Sequence, residues 1–238
     1  MGGRLVRLER IAPLVGLAGA AALAAGSVVA AVAYRGASGE PYSPLNHWVS
    51  ELGMPSVSAL AAVFNAGVIA GGAAFVVFMV AVGRARGGIL GGLTGAFGAA
   101  AGVAGMGVGV FNADMPSQHM LAALAFFWLG GVAIAAVSIS IVRRRDERFP
   151  AWLAIPGAVA FVSFYWFLAL FYTRTVGAYA TPLDRPAVWL ITVVEWLVIV
   201  ALLGWVALAS ITWRRATAGV AVASPVPSSA VAAEEAAG

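Results

Sequence analysis

The chain has 238 residues, 62% of them hydrophobic and only 10% charged, with a net charge of +4. Ordinary soluble domains carry about 25% charged residues, so this balance, with a mean hydropathy of +0.94, excludes a soluble globular domain. Cysteine is absent, which excludes disulfides, thiol nucleophiles and Cys-ligated zinc, and all fourteen basic residues are arginine, which excludes Schiff-base chemistry on lysine.

Six apolar runs approach or exceed the roughly 20 residues that cross a bilayer: 11–34, 58–82, 89–111, 119–142, 151–173 and 188–213. They are continuous rather than alternating, so they predict helices and not barrel strands. The predicted fold is all-α. It is a six-helix transmembrane bundle with both termini cytoplasmic and a short amphipathic helix in the first outer loop.

Residues 1–10 form a basic amino-terminal segment before the first span. Met1–Arg10 followed by Ala31-Val32-Ala33 has the outline of a cleavable signal peptide, but the apolar run exceeds the 7–15 residues of such a leader. A retained first helix is therefore expected; cleavage would leave five spans with the same loops outside.

In the first connection, Ser43 to Gly53 reads as one short helix. Ser43 would cap it, Pro44 would open it and Gly53 would end it. Leu45, Trp48, Val49 and Leu52 would form its apolar face, with Trp48 at headgroup level, and Asn46, His47, Ser50 and Glu51 its polar face. His47 and Glu51, one turn apart, would touch.

The third span carries Gly91, Gly95, Gly98, Gly102, Gly105 and Gly109 at spacings of 4, 3, 4, 3 and 4. Such a stripe lets a neighbouring helix come close. It predicts a third span at the buried centre of the bundle, with Gly71 and Gly72 of the second span supplying part of the facing surface. Asp184-Arg185-Pro186 reads as a cap and first turn for the sixth span. Residues 214–238 lack periodicity and bulky side chains and are expected to be a disordered cytoplasmic tail.

Eleven arginines (Arg4, Arg7, Arg10, Arg84, Arg86, Arg143, Arg144, Arg145, Arg148, Arg214 and Arg215) fall on one side of this topology. Arg35, Arg174 and Arg185 fall on the other. The positive-inside rule makes the first side cytoplasmic. The arginines then set topology and touch anionic headgroups, so the positive charge needs no nucleic-acid partner. Abundant Ala, Gly and Val with Arg in place of Lys points to a GC-rich bacterial genome, and so to a bacterial plasma membrane.

The remaining chemistry-bearing residues gather on the outer side. Glu195 lies seven residues into the sixth span, about 10 Å deep, and Asn65 lies at similar depth in the second. Both are expected to face a common outer cavity. An ionisable residue at that depth is costly and marks either a site or a buried pair, here with Asn65, a tyrosine or Arg174.

His47, Glu51, Asp114, His119 and Glu195 are the candidate catalytic residues; Asn46, Ser50, Asn65 and Arg174 are candidate lipid- or substrate-binding residues. Each also has a structural reading. Asp114 suits a turn or the start of the fourth span, and His119 suits a hydrogen bond to a loop carbonyl or to Asp114. His47 and His119, with nearby carboxylates, are the right types for a metal, yet no short ligand motif joins them. Ser50 near His47 lacks a nucleophile elbow. No phosphate-binding loop, intraspan histidine pair or soluble nucleotide domain is present, so no cofactor or nucleotide is expected and membrane lipids are the expected partners.

Asn46–Gly53 (NHWVSELG), Phe64-Asn65, and Gly109–Asp114 with His119 together resemble the membrane family known as domain of unknown function 998, over about residues 10–213. Ser50, Glu51, Leu52 and Gly53 match its first outer loop. Asn112 stands where the family often has proline, with Pro116 following later. The resemblance implies six spans and no established activity. A distant architectural likeness to the Frag1/DRAM/Sfk1 group hints at lipids by analogy alone. Three functions follow as expectations: binding or modifying a lipid or amphiphile at the outer leaflet, proton- or ion-coupled transport, or a structural or regulatory role without catalysis.

Overall fold

The structure is a computed structural model that describes residues 2–173 and 184–223. Its long helices are α1 (Gly2–Ala33), α2 (Ala61–Arg86), α3 (Gly88–Val110), α4 (Pro116–Arg143), α5 (Ala154–Thr173) and α6 (Leu190–Ala223). No strand occurs among the described residues. All six helices are long and apolar enough to cross a membrane, so the protein is multi-pass.

The spans match the hydropathy reading closely, and the deviations fall at the ends. Residues 2–10 are already helical as the start of α1. The last helix runs on to Ala223, so the first ten residues of the expected tail are helical; residues 224–238 lie outside the described residues. Asp184-Arg185-Pro186 precedes α6 by several residues rather than capping it.

Sequential helices pack side by side, and α6 closes back on α1, so the bundle is a six-membered ring. The third span is thus a wall of the ring and not its centre. Among the described residues it packs chiefly on α2 and α4 and leaves Ile89, Val103 and Val110 exposed. The glycine stripe has the predicted function with a different consequence: it brings two wall helices together. A β-carbon on Gly72 would lie 2.7 Å from the Gly102 carbonyl oxygen, and one on Gly83 would lie 2.5 Å from that of Gly91. Gly72 faces α3 as expected, whereas Gly71 faces Gly19 and Leu23 of α1. The α2–α3 connection turns at Gly87 and Gly88, with φ of 64° and 62°, a region that side chains strongly disfavour.

At this turn, where most arginines cluster (the arginine end), Arg86 is only 1% exposed. It is not a headgroup arginine. Its Nε donates to Ser140 Oγ at 2.8 Å, and its Nη2 donates to the carbonyls of Ser140 and Arg144, both at 2.6 Å. It therefore caps the carbonyl end of α4. Arg144 returns a bond to the Arg86 carbonyl at 2.7 Å. Asp146 is held by Arg148 at 2.8 and 3.0 Å and lies 3.7 Å from Arg86. Above this clamp the bundle is filled by fully buried Phe78, Phe149, Trp205 and Trp213.

Two predictions follow from the α2–α3 contact and the arginine clamp. Gly83→Val should lower stability in detergent by about 1–3 kcal/mol through overpacking. Gly92→Ala, with nothing within 4 Å of the new carbon, should cost nothing in the same thermal unfolding assay. Burial raises the Asp146 carboxyl, but the Arg148 hydrogen bonds and the nearby arginine charges outweigh it and leave the group below its ordinary value. The clamp's stability should therefore be complete above the ordinary aspartate range and be lost as pH falls through the lowered value. Asp146→Asn should flatten that acid limb in unfolding measured against pH.

Candidate functional site at the loop end

The opposite end of the ring, the loop end, is covered by residues 34–60. A short helix is present there, but it is a 3-10 helix over Val49–Gly53 and not one amphipathic helix from Ser43. Ser43 begins only a turn: its carbonyl accepts the amides of Asn46 and His47 at 3.2 and 2.9 Å, and its hydroxyl accepts that of Leu45 at 3.3 Å. Trp48 is then extended, at φ −65° and ψ 146°.

The cause lies in α6. In a continuous helix the Val49 amide would donate to the Leu45 carbonyl. Here that carbonyl accepts the Trp189 amide at 2.7 Å and the Thr192 hydroxyl at 3.1 Å. The Val49 amide donates to Glu195 Oε2 at 2.8 Å. The predicted apolar face divides accordingly. Val49 and Leu52 are buried, Leu45 is exposed, and Trp48 packs edge-on against Trp189, 5.0 Å away.

The expected polar face points into protein rather than water. Glu51 does not touch His47; it forms a two-pronged pair with Arg185 at 2.7 and 3.2 Å. Arg185 also donates to the Asn46 carbonyl at 3.1 Å and lies 5.2 Å over the Trp189 ring. His47 is 3% exposed, enclosed by the rings of Tyr34 and Tyr42, with Nδ1 2.8 Å from Asn46 Oδ1 and Nε2 3.8 Å from Glu40 Oε1. The Tyr42 hydroxyl accepts from the Trp196 indole at 2.8 Å and donates to the Trp48 carbonyl at 3.1 Å. Burial, and after it the charge of Glu195, pushes that hydroxyl well above the ordinary tyrosine value.

Other candidates hold loops. Asn65 donates to the Gly53 carbonyl at 2.9 Å and is not on the cavity wall that Glu195 lines. Exposed Asp114 binds the Ser56 hydroxyl and amide at 2.6 and 3.1 Å, joining two connections. It caps nothing, since α4 has Met115 at its cap position. His119 Nδ1 pairs with the Phe111 carbonyl at 2.8 Å, the loop-carbonyl alternative. Arg174 lies outside the described residues.

Inside the ring, below this cover, is a cavity of about 120 Å³. Ser50, His119 and Glu195 line its loop end. Its floor, toward the middle of the bundle, is made by Gly16, Phe75, Ala101, Leu202 and Val206. All the long helices except α5 contribute to the wall. His119 and Glu195 are each 8% exposed. His47 does not line this cavity; its ring nitrogens face Ser43, Asn46 and Glu40. Among the described residues no group of three or more His, Asp or Glu side chains is arranged to hold a metal. Arg185 and Glu40 were not among the site residues expected from the sequence. The available signal for Arg185 was an arginine on the arginine-poor side; Glu40 gave none.

Residues 22–212 match the family model described as "Protein of unknown function (DUF998)", and the chain belongs to that family. No curated protein and no solved structure matches it.

Arg185→Ala leaves Glu51 buried without its partner and should destabilise the cover by about 3 kcal/mol. The double variant Glu51→Gln, Arg185→Gln should recover part of that loss. Proteolysis within residues 34–60 and detergent unfolding would both report the difference.

Proposed function

We propose that this protein captures an amphiphile at the outer leaflet of a bacterial plasma membrane, taking one alkyl chain into the ring and holding the head at the mouth. The observation that carries the reading is the polarity gradient of the cavity. Ser50, His119 and Glu195 stand at one end, and glycine, alanine and aliphatic or aromatic side chains make up the rest. A volume near 120 Å³ is comparable with apolar cavities of about 150 Å³ that bind benzene. It suits a segment of one chain, not a whole two-chain lipid. The distribution of arginines, eleven against three, supports an outward-facing mouth.

Capture is favoured over transport by what lies beneath. Phe78, Phe149, Trp205 and Trp213 fill the bundle between the cavity and the arginine end, each less than 2% exposed. A purely structural reading accounts for Glu51, Arg185, Asn65 and Asp114, whose bonds all tie loops. It does not account for the cavity.

Native mass spectrometry of the protein extracted in mild detergent should show a retained amphiphile. Gly105 offers a clean way to close the space. It lines the cavity, and a β-carbon there would meet its nearest atom, on Phe126, only at 3.7 Å. Gly105→Leu should abolish retention at unchanged folded yield, and His119→Ala should weaken it. Bare protein in the wild type, or equal retention in Gly105→Leu, would overturn the reading.

A further inference from the structure

The amphiphile reading leaves open which head the mouth accepts, and the chemistry of its wall decides that. Glu195 Oε2 accepts one hydrogen bond, from the Val49 amide at 2.8 Å. Its Oε1 has no hydrogen-bond partner and Glu195 has no ion pair among the described residues. Arg185, on the segment leading into α6, is committed to Glu51 at 2.7 Å. His119 engages the Phe111 carbonyl through Nδ1 at 2.8 Å. A carbonyl only accepts, so Nδ1 carries the hydrogen and Nε2 of the neutral ring carries a lone pair. Ser50 offers a hydroxyl that accepts as readily as it donates.

The mouth thus offers a carboxyl group with one oxygen unbonded, an imidazole lone pair and a hydroxyl, and among the described residues no cationic side chain lines it. A phosphate or carboxylate head would find no cation there to compensate its charge. A quaternary ammonium would satisfy the charge but supply no donor. A primary ammonium supplies three N–H donors and a positive charge.

We propose that the ligand is a single-chain amphiphile, or one chain of a lipid, whose head is a primary ammonium. It is held by Glu195 with His119 and Ser50 as further acceptors, while its chain runs down the apolar cavity between α1, α2, α3 and α6. This assignment rests on the amphiphile reading above and adds the head to it.

The test compares three probes of equal chain length on the full chain in a non-ionic detergent at pH 7: dodecylamine, which is protonated there, dodecyltrimethylammonium and dodecanol. Retention is read by native mass spectrometry over a concentration series. Dodecylamine should bind about tenfold more tightly than either of the others, the scale of one charge-assisted hydrogen bond. Glu195→Gln should bring it down to the dodecanol level while dodecanol binding is unchanged. Equal retention of all three by the wild type, or equal retention of the two cations, overturns the primary-ammonium head and leaves the cavity reading standing. Retention of none overturns both. If Glu195→Gln does not fold, the wild-type comparison decides alone, and Gly105→Leu, which should lose all three probes equally, reports whether binding is in the cavity.

Discussion

The loop end depends on one exchange of backbone hydrogen bonds. Leu45 and Val49 are spaced to bond each other within a helix, and neither does so; Leu45 accepts from Trp189, just before α6, and from Thr192 in its first turn, and Val49 donates to Glu195 on the same helix. Two polar groups on α6 and two on the loop are satisfied at once, which matters where water is scarce and an unpaired group costs several kcal/mol. The exchange draws the loop over the ring. It buries Leu52, brings Glu51 to Arg185 and leaves Ser50 on the wall of the cavity.

The cavity beneath has an architectural cause. Six helices form a ring in chain order, and among the described residues no element fills its axis. At the arginine end large aromatic side chains fill the space, with Trp205 and Trp213 alone supplying two indoles at zero exposure. Between there and the loop end, the lining from α1, α2 and α3 includes Gly16, Gly19, Gly71, Gly72, Gly102 and Gly105. Glycine therefore has two effects on these helices. It lets backbones touch between α2 and α3, and at Gly105, where a β-carbon would meet nothing nearer than 3.7 Å, it leaves room.

Much of this was legible in the sequence, and the boundary is physical. Spans follow from the cost of unsatisfied backbone in lipid, which any 20-residue window of the chain expresses. The glycine stripe of α3 announced a close helix contact because periodicity is local. Periodicity could not say whether the stripe's partner surrounds α3 or flanks it, and α3 proved to be a wall. The Ser43–Gly53 helix failed for a related reason. Its apolar spacing and its Ser-Pro opening were sound local signals, overridden by partners some 140 residues away on α6. Glu195 was conspicuous as a lone carboxylate in an apolar run, and it does line the cavity. Asn65, at the same depth, binds Gly53 instead, because which face of a helix turns inward is set by packing. Arg185 read as part of a helix cap, and only the fold reveals it as the partner of Glu51.

The length of α6 has a mechanical consequence. Its 34 residues make a rod about 51 Å long, against a hydrocarbon core of about 30 Å. Trp189, Thr192 and Glu195 engage the cover at or just before its first turns, and its other end extends past Trp213 beyond the arginine clamp. A rod pivoting near its loop end carries its far end through about 1 Å for each degree of tilt. On the reading proposed above, a head group at Glu195 would sit on the same continuous helix that reaches the other face of the membrane.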